Sequence, residues 1–406
     1  MTEHALAFTE DLNKLNRPTR VRCFMNSVER VLTTINLKEP DRVPLDLGGP
    51  ISGITKIAYD GLKTHLEMRE LPSVVWDRMQ QLVEIDERVL QRFGIDFRHI
   101  RLNPPRKEEI KEVSGESFVN EWGITFRRSG YYFEIVDDLS PLYKASLIDE
   151  VESYRGPKPH EGRFRGLREK AKKLSEQGFA VTCDAFTGGV LELPVWLRGF
   201  KKFYHDLVAN PEFADALLDR ASELLKLFWG AFLDEVGDYA HIALIGDDYG
   251  MQQGMLISPK MWREKVKNRI RELFSFVKQK AKVKIELHSC GSVRPIVGDL
   301  IEIGLDVLNP VQPRAKDMDS FQLKEEFGDR ICFHGGIDIQ YVLPTGSRKD
   351  VQDEVKTKIQ AFAPGGGYIL GAAHNLQPDV PPSNIAAMYD AAHRYGRYPI
   401  DQMAGE

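Results

Sequence analysis

Cysteine is scarce in this chain of 406 residues and follows no repeating spacing. The four cysteines, Cys23, Cys183, Cys290 and Cys332, form no CxxC pair and are spread across most of the chain. Secreted proteins that depend on disulfides carry cysteines at much denser spacing. The sequence therefore excludes a disulfide framework, and we expect a protein of the reducing cytoplasm.

Long apolar runs and an excess of basic residues are also missing. No segment approaches the roughly 20 apolar residues that a membrane-spanning helix needs, and the N-terminal segment lacks the apolar core of a signal peptide. The formal net charge of -5 gives no basic field to attract nucleic acid or anionic lipid. We therefore expect no nucleic-acid partner and no membrane partner, and we favour a small-molecule substrate.

Eight short β-rich apolar runs do recur along the chain, separated mostly by amphipathic segments of helical period. The runs are residues 42–49, 95–100, 179–186, 241–248, 283–291, 306–312, 331–338 and 367–374. Strands that alternate with helices pair in parallel through right-handed crossovers, and eight such units predict an α/β fold, a closed (β/α)8 TIM barrel. A doubly wound open sheet has little support, because no GxGxxG follows the first run.

One region interrupts this alternation after the second run. Within residues 101–163, period-two segments at 122–126 and 131–135 flank an RRSG turn, which predicts a hairpin insertion. In a barrel, an insertion after a strand lies on the catalytic face. We expect one domain over residues 1–406, in which the insertion forms either a lid or wall of the substrate site or an inert surface excursion.

Aromatic side chains are concentrated in and after this insertion. They are Trp122, Phe126, Tyr131, Tyr132, Phe133, Phe186 and Trp196. They could form a pocket for a flat ring, or they could pack the hairpin onto the barrel.

Ionisable residues follow most of the apolar runs. In a barrel, the carboxyl ends of the strands form the rim where active sites lie, although loop starts also favour Asp as a helix cap. The residues at these run ends include Asp46, His99, Asp184, Asp247, Asp248, His288, Cys290, His334, Asp338 and His374.

The sharpest group is Glu286-Leu-His288-Ser-Cys290. Residues two apart in a strand point to the same side, so the carboxyl, imidazole and thiol share one face. A catalytic zinc site takes three protein ligands and keeps one position open. His288 and Cys290 supply two ligands and His374 is the candidate for the third, with a packed cysteine and a structural histidine as the alternative.

Asp247, Asp248 and His334 are geometric reserves for the third ligand position, since each of them also ends a run.

Four strings of this sequence resemble the uroporphyrinogen decarboxylase superfamily. They are EPDRVPLDLGG, IELHSCGSVRPIVGDLIEIGLDVLNPVQ, FHGGIDIQYVLPTGS and GGGYILGAAHNLQPDVPPSNIAAMYDA. The resemblance covers about residues 22–398 and is weakest in the insertion. It implies a single (β/α)8 barrel, in agreement with the eight runs.

The resemblance also separates two branches of the superfamily. The decarboxylase branch carries an Arg-Gln-Ala-Gly-Arg-Tyr segment whose arginines hold tetrapyrrole carboxylates, and the corresponding stretch here has no arginine after Arg42. The other branch consists of zinc-dependent methyltransferases that work with a corrinoid protein. In its methylcobamide:coenzyme M members, zinc is held by a His-x-Cys pair, matched by His288 and Cys290, and by a distant cysteine, where this chain has His374.

The resemblance thus implies a methyltransferase that contains Zn²⁺ and moves a methyl group from a methoxylated, aromatic compound to Co(I) of a separate corrinoid protein. Its cobalamin would be carried by that partner, because this chain has no Asp-x-His-x-x-Gly segment. In this hypothesis Asp247 or Asp248 orients the substrate or completes the zinc coordination shell. Glu286 forms a hydrogen bond to a zinc ligand or is itself a further ligand, and His334 is a hydrogen-bond donor or acid.

The alternatives are a decarboxylase with a different substrate, a methylcobamide:thiol methyltransferase, and a metal-free binding protein. The oligomeric state stays open, with a homodimer as one alternative.

Overall fold

The computed structural model describes residues 25–185 and 188–400. Its strands are β1 (Val75–Asp77), β2 (Leu82–Val83), β3 (Phe97–Arg101), β4 (Lys111–Ser114), β5 (Ser117–Val119), β6 (Thr125–Ser129), β7 (Tyr132–Ile135), β8 (Ala180–Asp184), β9 (Ile242–Gly246), β10 (Gly250–Met251), β11 (Gly254–Met255), β12 (Lys284–His288), β13 (Val307–Val311), β14 (Cys332–Ile337) and β15 (Tyr368–Ala372).

The α-helices are α1 (Ser27–Ile35), α2 (Lys56–His65), α3 (Glu87–Phe93), α4 (Ile148–Ser153), α5 (Leu167–Glu176), α6 (Glu192–Arg198), α7 (Phe200–Ala209), α8 (Pro211–Val236), α9 (Pro259–Lys265), α10 (Lys267–Lys280), α11 (Arg294–Glu302), α12 (Ser320–Phe327), α13 (Val342–Thr345), α14 (Arg348–Phe362) and α15 (Pro382–Tyr395). Short 3-10 turns cover Lys107–Glu109, Asp137–Leu139 and Glu161–Arg163.

The central sheet contains seven parallel strands in the order β15-β14-β13-β12-β9-β8-β3. Strands β8, β13, β14 and β15 are buried along their whole length. This burial is expected in a parallel barrel, where helices cover the outer face of the sheet and side chains fill its interior, and it explains the continuous apolar runs in the sequence.

The first predicted run closes the sheet between its two edge strands. On the β15 side, the Leu370 N–H donates to the Pro44 carbonyl at 2.9 Å and the Asp46 N–H donates to the Leu370 carbonyl at 3.0 Å. On the β3 side, the Asp96 N–H donates to the Leu45 carbonyl at 2.9 Å. Because Pro44 has no N–H to donate, the segment forms isolated bridges and no regular strand. The predicted (β/α)8 TIM-barrel fold is confirmed.

The helices form the outer layer, and their starts follow local sequence signals. The Ser258 hydroxyl accepts a hydrogen bond from the Met261 N–H at 3.1 Å and caps α9, with Pro259 in the first turn. Val266 separates this helix from α10, which follows directly. None of the described helices has both the length and the apolar character needed to cross a membrane.

The insertion after β3 is a four-stranded antiparallel sheet, β4-β5-β6-β7. It contains the predicted hairpin, in which Ser129 pairs with Tyr132 across a turn with Gly130 at φ 59°. Its aromatic residues mainly pack internally and onto the barrel, since Phe118 stacks on Phe126 at 5.1 Å between ring centroids and Trp122 meets Phe228 of α8 at 5.5 Å. The extent of the single domain over residues 1–406 stays a prediction.

Candidate metal centre

Two strand ends meet across the mouth of the barrel. Strand β12 ends at His288 with Cys290 two residues later, and His374 follows the end of β15 by two residues. One ligand atom from each of these three side chains lies within 4.8 Å of the other two. The Cys290 Sγ is 3.4 Å from the His288 Nε2, and the two imidazole rings lie 5.4 Å apart between centroids. The three predicted metal ligands therefore come together in one cluster.

A neighbouring strand fixes the orientation of His288. Asn309 on β13 lies opposite His288 in the sheet register, and its Oδ1 is 2.7 Å from the His288 Nδ1. An amide oxygen only accepts, so Nδ1 carries the proton and donates it. The Nε2 lone pair is then free and faces the Cys290 thiol, as metal-binding histidines require.

The loop that carries Cys290 is fixed on both sides. The Cys290 N–H donates to Asp248 Oδ1 at 2.8 Å, and the Gly291 N–H donates to Gln312 Oε1 at 2.8 Å. Gly291 has φ 77°, and a Cβ there would lie 2.6 Å from backbone atoms of Gly250 and Met251. Only glycine fits such a conformation and such a close approach, which explains the glycine after Cys290.

Burial sets the protonation of the cluster. It raises the pKa of the Cys290 thiol well above its usual value, and the neighbouring Asp248 and Glu192 carboxyls raise it further. Burial, followed by the charge of His288, lowers the pKa of His374 to about 3. His374 is therefore neutral and able to bind a metal, whereas a Cys290 thiolate needs a cation beside it.

The donor set fits zinc. Two imidazole nitrogens and one thiolate match the ligands that Zn²⁺ takes in catalytic sites, where a fourth position stays open. A divalent cation would also compensate the buried negative charge that disfavours the thiolate.

A cavity of about 260 Å³ opens beside the cluster. It is lined by Pro50, Ile51, Met79, Gln80, Asp184, Gly188, Glu192, Trp196, Trp229, Leu244, Ile245, Gly246, Asp248, His288 and His374. Among the described residues of this lining there is no Lys or Arg, while three carboxyl groups are present. The cavity therefore suits a small molecule that combines apolar surface with few negative charges.

The two adjacent aspartates have different surroundings. Asp247 is fully buried and accepts hydrogen bonds from the Tyr249 hydroxyl at 2.7 Å and from the backbone N–H groups of Leu191 at 3.0 Å and Glu192 at 2.9 Å. It thereby fixes the start of α6, and burial raises its pKa to about 7. Asp248 instead lines the cavity and lies 4.0 Å from the His288 Nε2.

Glu286 and His334 form a separate group inside the barrel. The His334 Nδ1 is 2.6 Å from Glu286 Oε1, and its Nε2 is 3.4 Å from Asp46 Oδ2. Asp46 Oδ1 in turn lies 2.9 Å from the Nε2 of His99. Glu286 shares a strand face with His288, as predicted, but its carboxyl group contacts His334. Glu286 and His334 do not line the cavity. Their expected parts in the chemistry stay predictions.

Sequence reasoning missed Glu192 and Gln80 as cavity residues. Glu192 opens a helix, and Gln80 lies in the loop between β1 and β2. Neither ends an apolar run, so only the folded chain brings them to the site. Trp196 lines the cavity, which is one of the two alternatives stated for the aromatic residues, whereas Phe186 lies outside the described residues.

Comparisons with known proteins agree with this architecture. Residues 124–395, more than half of the chain, match the family model of uroporphyrinogen decarboxylase (URO-D). The uroporphyrinogen decarboxylase of Proteus mirabilis (strain HI4320) is 23% identical over 281 residues, which are 66% of this chain and 74% of that protein. That of Alkalilimnicola ehrlichii (strain ATCC BAA-1101 / DSM 17681 / MLHE-1) is 29% identical over 75 residues, only 18% of this chain and 20% of the relative.

Among solved structures, a methyltransferase from Methanosarcina mazei has the same fold. It superposes with a TM-score of 0.62 at 18% identity and covers 92% of this chain and 99% of its own. By its sequence match and its barrel fold, the chain belongs to the uroporphyrinogen decarboxylase family.

Proposed function

We propose that the protein is a zinc-dependent methyltransferase that moves a methyl group from a methoxylated aromatic compound to Co(I) of a separate corrinoid protein, the first step of O-demethylation. The observation that carries this proposal is the cluster of His288, Cys290 and His374, two of which line a small cavity at the mouth of the barrel. Such a position lets one group hold a metal while a substrate reaches it from the cavity.

The side chains of the cluster have the roles that this chemistry needs. When bound by His288, Cys290 and His374, zinc would supply Lewis acidity for the oxygen that leaves with the aromatic ring. Asn309 orients His288, and Asp248 holds the Cys290 loop through the backbone N–H. The apolar part of the cavity wall, with Trp196, excludes water and packs against a ring.

The cavity disfavours the tetrapyrrole that gives the family its name. Uroporphyrinogen carries many carboxylates, and proteins bind carboxylates mainly through arginine. The described lining has carboxyl groups in place of cations, and its volume of about 260 Å³ suits a single substituted ring. These features favour the methyltransferase branch over the decarboxylase branch.

The methyl acceptor in this proposal comes on another protein. The sequence contains no Asp-x-His-x-x-Gly segment for cobalamin, so a partner corrinoid protein would present Co(I) at the open side of the cavity.

The test combines metal analysis with a methyl-transfer assay. Zinc-loaded protein is incubated with cob(I)alamin and a panel of methoxyarenes, methylamines and methyl thiols. We expect about one zinc per chain and methylcobalamin from a methoxyarene, with both lost in Cys290→Ser and His374→Ala. Cys332→Ala is the matched control, because Cys332 is buried at the start of β14, away from the rim, and should keep both properties.

Other outcomes would overturn the proposal. Release of CO2 from a carboxylated substrate without methyl transfer indicates a decarboxylase, and methylation of a thiol by methylcobalamin without the methoxyarene reaction indicates a thiol methyltransferase. Less than about 0.2 zinc per chain, unchanged in Cys290→Ser, indicates a metal-free protein.

A further inference from the structure

We propose that Glu192 is the acid that protonates the leaving oxygen of the methyl donor. This inference rests on the proposed function and adds a proton donor to the Lewis acidity that zinc would supply at the same oxygen. Glu192 shares the cavity wall with His288 and His374, so a donor oxygen beside the metal cluster also faces this carboxyl.

The position of Glu192 is set by rigid contacts. It is the first residue of α6, and its backbone N–H donates to Asp247 Oδ1 at 2.9 Å. Asp247 is itself buried at the end of β9, next to the Asp248 that holds the Cys290 loop. The backbone of Glu192 and the backbone of Cys290 are therefore held by two adjacent residues at the same strand end.

The carboxyl group of Glu192 is free to serve a substrate. Among the described residues, none donates a hydrogen bond to this carboxyl group and none forms an ion pair with it. Its pKa is affected by burial and by the charges of Asp248 and Asp247. An unpaired carboxyl in a cavity is costly for a purely structural role, because burial of a polar group is normally compensated by a partner. A ligand in the cavity would supply that partner.

The groups that surround Glu192 favour its protonated form. The charges that act on Glu192 are those of Asp248 and Asp247, which follow β9. Three further acids lie near it, Cys290 after β12, Tyr204 on α7 and Tyr249, and the charge of Glu192 raises the pKa of each of them. Burial and the two aspartates raise the pKa of Glu192 well above its usual value. Burial and the two neighbouring carboxyl groups therefore disfavour the carboxylate form of Glu192, and its carboxylic acid form is the one that can donate a proton to a substrate oxygen in the cavity.

Other acids near the site are already engaged. His334 lies between Glu286 and Asp46 inside the barrel, away from the cavity. Asp247 accepts several hydrogen bonds, and Asp248 accepts the Cys290 N–H. Asp184 lines the cavity but has a partner of its own within the chain.

The proton balances the transfer step. In this proposal the methyl carbon would take its new bond from the electron pair of the partner's Co(I), and the bond between that carbon and the ether oxygen would break with its pair on oxygen. The Glu192 proton moves to this oxygen, so that the phenol leaves neutral and Glu192 becomes a carboxylate. Water reprotonates the carboxylate after the product departs.

The test uses a series of methoxyarenes whose phenol products differ in acidity, from electron-rich rings to cyano- and fluoro-substituted rings. Glu192→Gln keeps the shape of the side chain but removes the proton. We expect it to lower kcat about 10²- to 10⁴-fold for the most basic leaving groups, and progressively less as the phenol becomes more acidic. Glu192→Asp, which restores a proton at shorter reach, should recover part of the loss.

Further readouts separate an acid from a structural residue. Zinc content and donor binding to the zinc-free protein, followed by tryptophan fluorescence, should be the same in wild type and Glu192→Gln. Glu354→Gln is the matched control, because Glu354 is another carboxyl whose pKa is raised by burial, but it lies on α14 and is not part of the cavity wall.

Two results would overturn the inference, and they are distinguishable from failure of the proposed function. If Glu192→Gln lowers kcat equally for all leaving groups, or does not lower it for the basic ones, Glu192 is not the acid although the enzyme is a methyltransferase. If wild-type protein methylates cob(I)alamin from no member of the series, the proposed function fails and the inference fails with it.

Discussion

The Nδ1 of His288 lies 2.7 Å from the Oδ1 of Asn309 on the adjacent strand. This contact couples the sheet register to the metal cluster, because β12 and β13 pair these two residues directly. The hydrogen bond selects the tautomer whose Nε2 faces Cys290, so the geometry for metal binding exists before a metal arrives.

Replacement of Asn309 should therefore weaken zinc binding without removing a ligand. We expect Asn309→Leu to lower zinc affinity about 10- to 100-fold, as loss of a partner behind a metal-bound histidine usually does. Competition with a chromophoric chelator measures this affinity. Asn384→Ala is the control, since Asn384 is equally buried but bonds to carbonyl groups of Leu343 and Gly346. An unchanged affinity in Asn309→Leu would show that the contact has no role in metal binding.

Gly291 offers a test of the backbone behind Cys290. A Cβ at this position would lie 2.6 Å from the backbone of Gly250 and Met251, so Gly291→Ala must displace the Cys290 loop. We expect a loss of stability of about 1–3 kcal/mol, together with weaker zinc binding. Urea unfolding and zinc titration measure the two effects.

Gly130→Ala is the matched control for this substitution. Gly130 also has a positive φ, 59°, but a Cβ added there would meet no described atom within 4 Å, so only local strain is added. We expect a smaller stability loss and unchanged zinc binding. Equal effects of the two substitutions on zinc would mean that the close approach at Gly291 does not position Cys290.

The buried His334 predicts a pH dependence of stability. Burial opposes its charge, but Glu286 and Asp46 outweigh burial and raise its pKa. A histidine whose folded pKa lies above its unfolded value, about 6.5, stabilises the fold fully below that pH and loses the contribution as pH rises through the folded pKa. The free energy of unfolding should therefore fall above about pH 6.5, and His334→Gln should flatten this fall.

Urea unfolding of zinc-free protein at several pH values between about 6 and 9 measures this slope. His393→Gln is the control, because burial lowers the pKa of His393 and its effect has the opposite sign. A wild-type slope that survives in His334→Gln would contradict the assignment.

The strands were predictable because their signal is local. The ends of the apolar runs lie within three residues of the ends of β3, β8, β9, β12, β13, β14 and β15. The first run was harder, since Pro44 breaks its hydrogen-bond ladder and leaves bridges at Leu45 and its neighbours. Strands β4 and β5 of the insertion were not predicted, because both are short and β4 consists of exposed residues without an apolar pattern.

The site was predictable only in part. Spacing two apart along one strand places Glu286 and His288 on one face, but spacing does not say what each side chain meets. Glu286 meets His334 within the barrel, while His288 meets Asn309 at the rim. The sequence around Glu192 does not predict a site residue, because the position of Glu192 in the cavity depends on a hydrogen bond to Asp247, which lies 55 positions later in the chain.

The sequence by itself determined the alternation of strands and helices and the His288-Cys290 pair at a strand end, because both depend on periods of a few residues. His374 was a candidate among several for the third ligand, and the tertiary structure brings it to this pair: β13 and β14 separate β12 from β15 in the sheet, and closure of the barrel brings their ends together. It also decided that Glu192, and not His334, faces the cavity, because long-range packing and not local pattern sets which carboxyl or imidazole a substrate can reach.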